Sequence, residues 1–173
     1  PYYISMSSVE EEKRLNSVNY ILASARAVKA MGGNRIVVHT GSCGKISREQ
    51  ALELAIDTMK LAIDALDREG LGDIHICPET MGKVNQLGTL DEVLELCKID
   101  ERLIPCIDFG HLNARTGGGL KTFADFENIN ISFDEIAAKI PASRIAGEEN
   151  QASERFFSSM NASVKELKET IQK

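Results

Sequence analysis

Hydrophobic residues recur at helical spacing in three stretches of the chain. Steps of three and four residues place such positions on one face of a helix. The pattern therefore predicts three amphipathic helices, each with one buried face. The positions are Leu15, Val18, Ile21, Leu22, Ala25 and Val28, then Leu52, Ala55, Ile56, Met59, Ile63 and Leu66, then Leu90, Val93, Leu94 and Cys97.

Each of these helices is predicted to begin at a capping box, in which two side chains satisfy each other's backbone N–H groups. The three boxes run from Ser8 to Glu11, from Ser47 to Gln50 and from Thr89 to Glu92. Glycines at 32 and 33 and at 70 and 72 are expected to end the first two helices.

A short apolar run follows each predicted helix, at 35–39, 74–77 and 103–107. These lengths are typical of strands, and the continuous apolar character of the first run indicates burial on both faces, as in a parallel sheet. Alternating helices and strands of this size predict an α/β fold built of βα units. The spacing of apolar residues also predicts a closing helix over 164–171.

Composition narrows the class of protein. The 173 residues suggest about one domain with a substantial core, and no apolar run approaches the ~18 to 20 residues of a membrane span. The net charge of −6 excludes a global field that attracts nucleic acid, so any such contact requires a local basic patch. The four cysteines form no CxxC pair, which indicates reduced thiols in a cytoplasmic protein.

A side chain suited to metal binding or proton transfer lies at or just past the end of each predicted strand. His39 ends the first strand, Glu79 lies just past the second, and Asp108 and His111 follow the third. The loops that leave the carboxyl ends of parallel strands build the functional sites of α/β folds. The four residues therefore predict a site for a divalent metal, with zinc first and manganese as an alternative.

Each candidate ligand also has an ordinary structural interpretation. His39 can cap the turn that follows it, Glu79 can be a solvated loop acid, and Asp108 can cap the next helix. His75 lies inside a predicted strand, where a hydrogen-bonded core histidine is the expected role. Four such residues at matching strand ends favour the metal site over four separate coincidences.

Arg115 and Lys121 flank three consecutive glycines at 117–119. Such a stretch predicts a mobile loop first and a phosphate-contacting loop as the alternative.

Four motifs resemble the endonuclease IV family, the family 2 apurinic/apyrimidinic endonucleases of the wider xylose-isomerase-like group. The resemblance extends in order over residues 1–127. Its most specific parts are the segment around Glu79 and the segment from Asp108 to His111. The motifs are Pro1-Tyr2-Tyr3-Ile4, Val38-His39-Thr40-Gly41-Ser42, Cys77-Pro78-Glu79-Thr80-Met81-Gly82-Lys83 and Cys106-Ile107-Asp108-Phe109-Gly110-His111.

The resemblance implies a TIM barrel that binds up to three zinc ions and hydrolyses DNA at abasic sites. By motif, His39 would bind one zinc, and Glu79, the central catalytic residue, would bridge two. Asp108 would bind the second zinc of that pair and His111 the third. Tyr2 and Tyr3 would lie in the loop that probes the minor groove, with Arg115 and Lys121 as further candidate DNA contacts.

The chain is shorter than the ~250 residues of a typical TIM barrel. No histidine follows His111, whereas the family has later histidine ligands. We therefore expect a partial barrel, one domain over 1–173 with 128–173 unassigned, that binds fewer than three ions. Glu148 or Glu149 is a candidate fifth ligand.

Three functions remain open at this point. The first is a metal-dependent phosphodiesterase acting on damaged DNA. The second is a sugar isomerase or epimerase of the same superfamily, which would use Glu79 and Asp108 on one metal ion. The third is a non-catalytic fragment whose exposed sheet edges drive self-association.

Overall fold

The computed structural model describes residues 4–129, in which helices and strands alternate. The helices are α1 (Glu11–Ala30), α2 (Arg48–Arg68), α3 (Leu90–Cys97) and α4 (Phe109–Arg115), and the strands are β1 (Arg35–Val38) and β2 (His75–Pro78). The two strands lie within one residue of their predicted bounds. The predicted helix over 164–171 lies outside the described residues.

β1 and β2 pair in parallel along their whole length. Arg35 lies opposite His75 at one end of the register, and Val38 lies opposite Pro78 at the other. Along the chain, α2 connects β1 to β2, which is its parallel neighbour in the sheet. The chain therefore makes the βα crossover that its alternating pattern predicts.

The predicted third strand lies on the other side of β2 as an irregular segment, 103–106. It pairs through isolated parallel bridges, Ile76 with Leu103 and Glu79 with Cys106, rather than through a continuous ladder. The backbone N–H of Cys106 donates to the carbonyl of Pro78 at 2.8 Å. The order along the sheet therefore equals the order along the chain, which is the arrangement of a barrel wall.

The core lies between one face of this sheet and the helices. Ile36 and Val38 of β1 are buried, together with apolar residues of α1 and α2 such as Ile21 and Met59. Arg35 and Val37 point to the opposite face and are exposed, Val37 to 47%. The prediction that β1 is buried on both faces was therefore wrong, because only alternate side chains of a strand reach the helical layer.

Two of the three predicted capping boxes are confirmed. The hydroxyls of Ser47 and Thr89 accept from the backbone N–H groups of Gln50 and Glu92, whose side chains in turn accept from the cap residues. These boxes begin α2 and α3 at the predicted residues.

The first predicted box was wrong, because α1 begins later than expected. Its cap is Glu10, which makes no side-chain capping bond, and the hydroxyl of Ser8 accepts from the Glu10 N–H at 3.1 Å. The Ser8 hydroxyl thus belongs to a local turn and does not reach Glu11. Leu15, expected on the buried face of this helix, is 47% exposed.

The chain divides into two compact units, 1–119 and 120–173. All six elements named above belong to the first unit. In the described start of the second unit, Asp125 accepts from the backbone N–H groups of Lys121 and Thr122. The prediction of one domain over 1–173 stays a prediction. No helix within residues 4–129 is long and apolar enough to cross a membrane.

Candidate metal centre

The four predicted ligands lie at one end of the sheet. His39 directly follows β1, Glu79 directly follows β2, and Asp108 follows the paired segment 103–106. Because β1, β2 and segment 103–106 run parallel, their carboxyl ends bring these side chains to the same edge. His111 lies one helical turn after Asp108, in α4.

Glu79 lies between the two histidines. One carboxylate oxygen, Oε2, is 3.1 Å from His39 Nε2, and the other, Oε1, is 3.5 Å from His111 Nδ1. The side chain is only 13% exposed. Each oxygen of the Glu79 carboxylate thus faces a different imidazole. In this arrangement one carboxylate can act together with both histidines.

Asp108 uses its two oxygens differently. It is the N-cap of α4, and Oδ1 accepts from the backbone N–H of His111 at 2.8 Å. Its other oxygen, Oδ2, lies 3.6 Å from His111 Nδ1. The capping role that competes with metal binding is therefore present, but it occupies one oxygen and leaves the other directed at the cluster.

The ring of His111 is held by the loop that follows β2. Nδ1 lies 2.8 Å from the carbonyl oxygen of Thr80. A carbonyl only accepts, so in this contact Nδ1 has the proton, and the lone pair of the neutral ring lies on Nε2. The Cα of Gly82 packs so closely that an added Cβ would lie 3.3 Å from His111 Cδ2.

Thr80 is a site residue to which sequence reasoning gave no role. It is fully buried, and its hydroxyl accepts from the backbone N–H of Asp108 at 2.8 Å while lying 3.3 Å from the Asp108 carbonyl. The available signal was its position, directly after the candidate ligand Glu79. Its two partners are 28 and 31 residues away, so the sequence did not indicate the contacts.

Glu79, Asp108 and His111 have ligand atoms that all lie within 4.8 Å of one another. Two carboxylates and an imidazole suit zinc or manganese, and a half-buried edge leaves room for water or substrate. His39 adds a second imidazole beside Glu79. The donor set thus fits a divalent ion, in agreement with the predicted type of site.

A network of charged side chains holds the loop from Glu79 to Thr89, residues 79–89, which we call the Glu79 loop. The guanidinium of Arg48 makes a two-point contact with the carboxylate of Glu92, at 2.8 Å for each bond. Glu92 also accepts from the backbone N–H groups of Gly88 and Thr89. Burial opposes ionisation of Glu92, but these hydrogen bonds outweigh it and lower the pKa of the carboxyl.

Arg115 binds the same loop from α4. Burial, and then the nearby charge of Arg48, lower the pKa of its guanidinium. The guanidinium donates to the carbonyls of Met81, Lys83, Val84 and Gln86, at 2.8 to 3.2 Å. These bonds fix a side chain that was predicted to be mobile, and its predicted contact with DNA stays a prediction.

Among the other predicted residues, His75 lies apart from the cluster, Lys121 belongs to the second unit, and the rest lie outside the described residues. Lys121 is exposed, in the second unit. His75 is at the opposite end of β2 from Glu79. Tyr2, Tyr3, Glu148 and Glu149 lie outside residues 4–129.

All four cysteines are free thiols. Burial, and then the carboxylates of Glu79 and Asp108, raise the pKa of the Cys106 thiol beside the cluster. Burial raises the pKa of Cys97 to about 12. The raised pKa values favour the protonated form of the Cys97 and Cys106 thiols near neutral pH.

Comparison with known families confirms the fold that the motifs indicate. The family model described as xylose isomerase-like TIM barrel matches residues 1–157. The structure of D-psicose 3-epimerase with D-tagatose, from Clostridium cellulolyticum H10, superposes with a TM-score of 0.55 at 14% identity. That superposition covers 75% of this chain and 46% of the epimerase chain. At this identity the likeness concerns the fold alone.

Two curated relatives extend the comparison. An uncharacterized protein of Methanocaldococcus jannaschii is 33% identical over 139 residues, which are 80% of this chain and 50% of the relative. A protein named "Probable endonuclease 4" from Malacoplasma penetrans is 30% identical over 118 residues, 65% of this chain and 39% of the relative. The chain therefore spans half or less of the length of these relatives.

Proposed function

We propose that this chain, which belongs to the xylose isomerase-like TIM barrel family, is a metal-dependent phosphodiesterase that acts on abasic DNA. The observation that supports the proposal most is the placement of Glu79 between His39 and His111, with Asp108 beside it. The second support is a relative whose name describes an endonuclease.

The proposed ligands are His39, Glu79, Asp108 and His111, and zinc is the proposed ion, with manganese as the alternative. An ion held there would polarise a phosphate oxygen and make a bound water more acidic near neutral pH. One oxygen of Glu79 lies toward each histidine, so we assign Glu79 the role of a ligand that two ions could share. Its contact with His39 Nε2 also orients that half-exposed ring.

DNA contacts are proposed for Tyr2, Tyr3, Lys121 and Arg115. Lys121 is exposed, so its ammonium is available for a phosphate. Arg115 would first have to release the carbonyls of the Glu79 loop. A cytoplasmic location is proposed from the four free thiols.

Cleavage of a synthetic duplex with one abasic-site analogue tests this function. We expect the zinc-loaded chain to cut this duplex and to leave an intact duplex of the same sequence uncut. Glu79→Gln should remove most bound metal in elemental analysis and abolish cutting, because it deletes the central charge. Glu53→Gln, an exposed change on α2, is the matched control and should alter neither result.

The alternatives predict different results in the same preparation. Epimerisation of a ketose with no cutting of abasic DNA would favour the sugar enzyme. Metal-free protein that sediments as oligomers would favour the non-catalytic fragment. Metal binding with neither reaction would contradict the proposed phosphodiesterase.

A further inference from the structure

We infer that Thr80 is a positioning residue that holds the three members of the metal cluster in one arrangement; this inference rests on the proposed metal site. Thr80 is linked to each member in a different way. It follows Glu79 directly in the chain, its hydroxyl pairs with the backbone of Asp108, and its carbonyl pairs with the ring of His111.

The hydroxyl of Thr80 pairs with both backbone groups of Asp108, whose carbonyl also accepts from the N–H of Leu112. It accepts from the N–H at 2.8 Å and donates to the carbonyl at 3.3 Å. Asp108 is also the N-cap of α4. The hydroxyl therefore sets where α4 begins relative to the end of β2, and with it the separation of Asp108 and His111 from Glu79.

The carbonyl of Thr80 fixes the orientation of the His111 ring. Its 2.8 Å contact with Nδ1 selects the tautomer in which Nε2 has the lone pair. Histidine ligands in metal sites commonly donate their other N–H to a carbonyl or carboxylate, which orients the ring and raises its basicity. Nδ1, which also lies 3.5 Å from Glu79 Oε1, makes this outer contact, so the proposed ligand atom of His111 is Nε2.

The backbone of Thr80 is itself fixed. Its N–H donates to the carbonyl of Cys106 at 3.0 Å, which continues the pairing between β2 and segment 103–106. The residue is fully buried. Because the sheet fixes its position, Thr80 holds the cluster at a defined place relative to β2 and segment 103–106.

Two substitutions separate the hydroxyl from the packing of the side chain. Thr80→Val keeps the shape and removes the hydroxyl, which leaves the Asp108 backbone groups without this partner. Thr80→Ser keeps the hydroxyl and removes a methyl group. Thr58→Val is the matched control, because Thr58 is equally buried and bonds the carbonyls of Met6 and Leu54 in and beside α2.

Zinc affinity, measured by competition with a chromogenic chelator, is the first readout. We expect Thr80→Val to weaken binding by about 10- to 100-fold, the range found when outer contacts of metal ligands are lost. Thr80→Ser should stay within about threefold of the wild type and so rescue the loss. Thr58→Val should lower the melting temperature without changing zinc affinity.

The tautomer of His111 is the second readout and requires no metal. Long-range ¹H–¹⁵N spectra of the metal-free wild type at about pH 8, where an ordinary imidazole is neutral, should show the proton on Nδ1. Thr80→Val keeps the backbone carbonyl that Nδ1 contacts and the backbone N–H bond to Cys106, so the Nδ1–H form should persist in this variant, as in Thr58→Val.

The two readouts separate this inference from the proposed function. Zinc binding and the predicted tautomer without cleavage of abasic DNA would support the positioning role and contradict the phosphodiesterase. Unchanged zinc affinity in Thr80→Val, or the Nε2–H tautomer in the wild type, would overturn the positioning role. Should Thr80→Val not fold, the wild-type tautomer decides.

Discussion

His39 and His111 flank the same carboxylate, yet the protein holds the two rings very differently. Their side chains are similarly exposed, 44% and 38%. His111 contacts the carbonyl of Thr80, and its backbone N–H donates to Asp108. Within residues 4–129, His39 has one polar side-chain contact, with Glu79.

This difference divides the candidate site into a prearranged side and an adjustable side. The prearranged side consists of Glu79, Thr80, Asp108 and His111, and the Glu79 loop supports it. The adjustable side is His39. Because a prearranged ligand loses little conformational freedom on binding, we expect most of the affinity for an ion to come from the first side.

Replacing each histidine tests the division most directly and has the largest expected effect. His111→Asn should weaken zinc binding by more than about 100-fold, beyond the loss of an outer contact alone. The loss of zinc affinity in His39→Asn should be about tenfold smaller than that in His111→Asn. Isothermal titration of both variants measures the difference, and an equal or larger loss in His39→Asn would contradict the comparison.

Glu92 tests whether the Glu79 loop depends on its charged network. Glu92→Gln should lower the free energy of unfolding by about 2 kcal/mol at pH 7, because it weakens charge-assisted bonds to Arg48 and two backbone N–H groups. Glu95→Gln is the matched control. Glu95 is half exposed and pairs with Lys98, so about 0.5 kcal/mol or less is expected.

The pH dependence of this effect has a definite sign. The pKa of Glu92 is lowered in the folded protein, so its contribution is complete above its ordinary unfolded value of about 4.3. It is lost as the pH falls through the lowered folded pKa. Urea unfolding of both proteins between pH 7 and acid should therefore show the difference shrinking below about pH 4. A constant difference would contradict ionisation of Glu92 as its source.

Gly82 tests the packing of the loop on His111, with a smaller effect. In Gly82→Ala the new Cβ would lie 3.3 Å from His111 Cδ2 and 3.5 Å from Ala114 Cβ, so the ring must move by a few tenths of an ångström. We expect zinc affinity to fall by less than about tenfold. Tighter binding than wild type would show that the loop holds the ring away from its best position.

His75 has the smallest expected effect. It lies at the start of β2, four residues before Glu79, or about 13 Å along an extended strand. His75→Asn should leave zinc content unchanged in elemental analysis. Loss of metal in this variant would mean that the wrong residues have been assigned to the site.

Much of the fold follows from local sequence. The boxes at Ser47 and Thr89 begin α2 and α3 as predicted because a capping box uses side chains only three residues apart. The start of α1 did not follow, since Ser8 bonds within its own turn. The irregular pairing of segment 103–106, where a strand was predicted, also did not follow, because pairing depends on the partner strand rather than on the apolar run itself.

The sequence by itself determined the residue types of the candidate site and the strand ends at which they lie. His39, Glu79 and Asp108 reach one edge because parallel strands repeat the same direction. Only the tertiary structure decided that Glu79 lies between two imidazoles, that Thr80 holds Asp108 and His111, and that Arg115 binds carbonyls. These contacts join residues 28 to 40 positions apart, and such distances in space depend on how strands and helices pack rather than on local propensity.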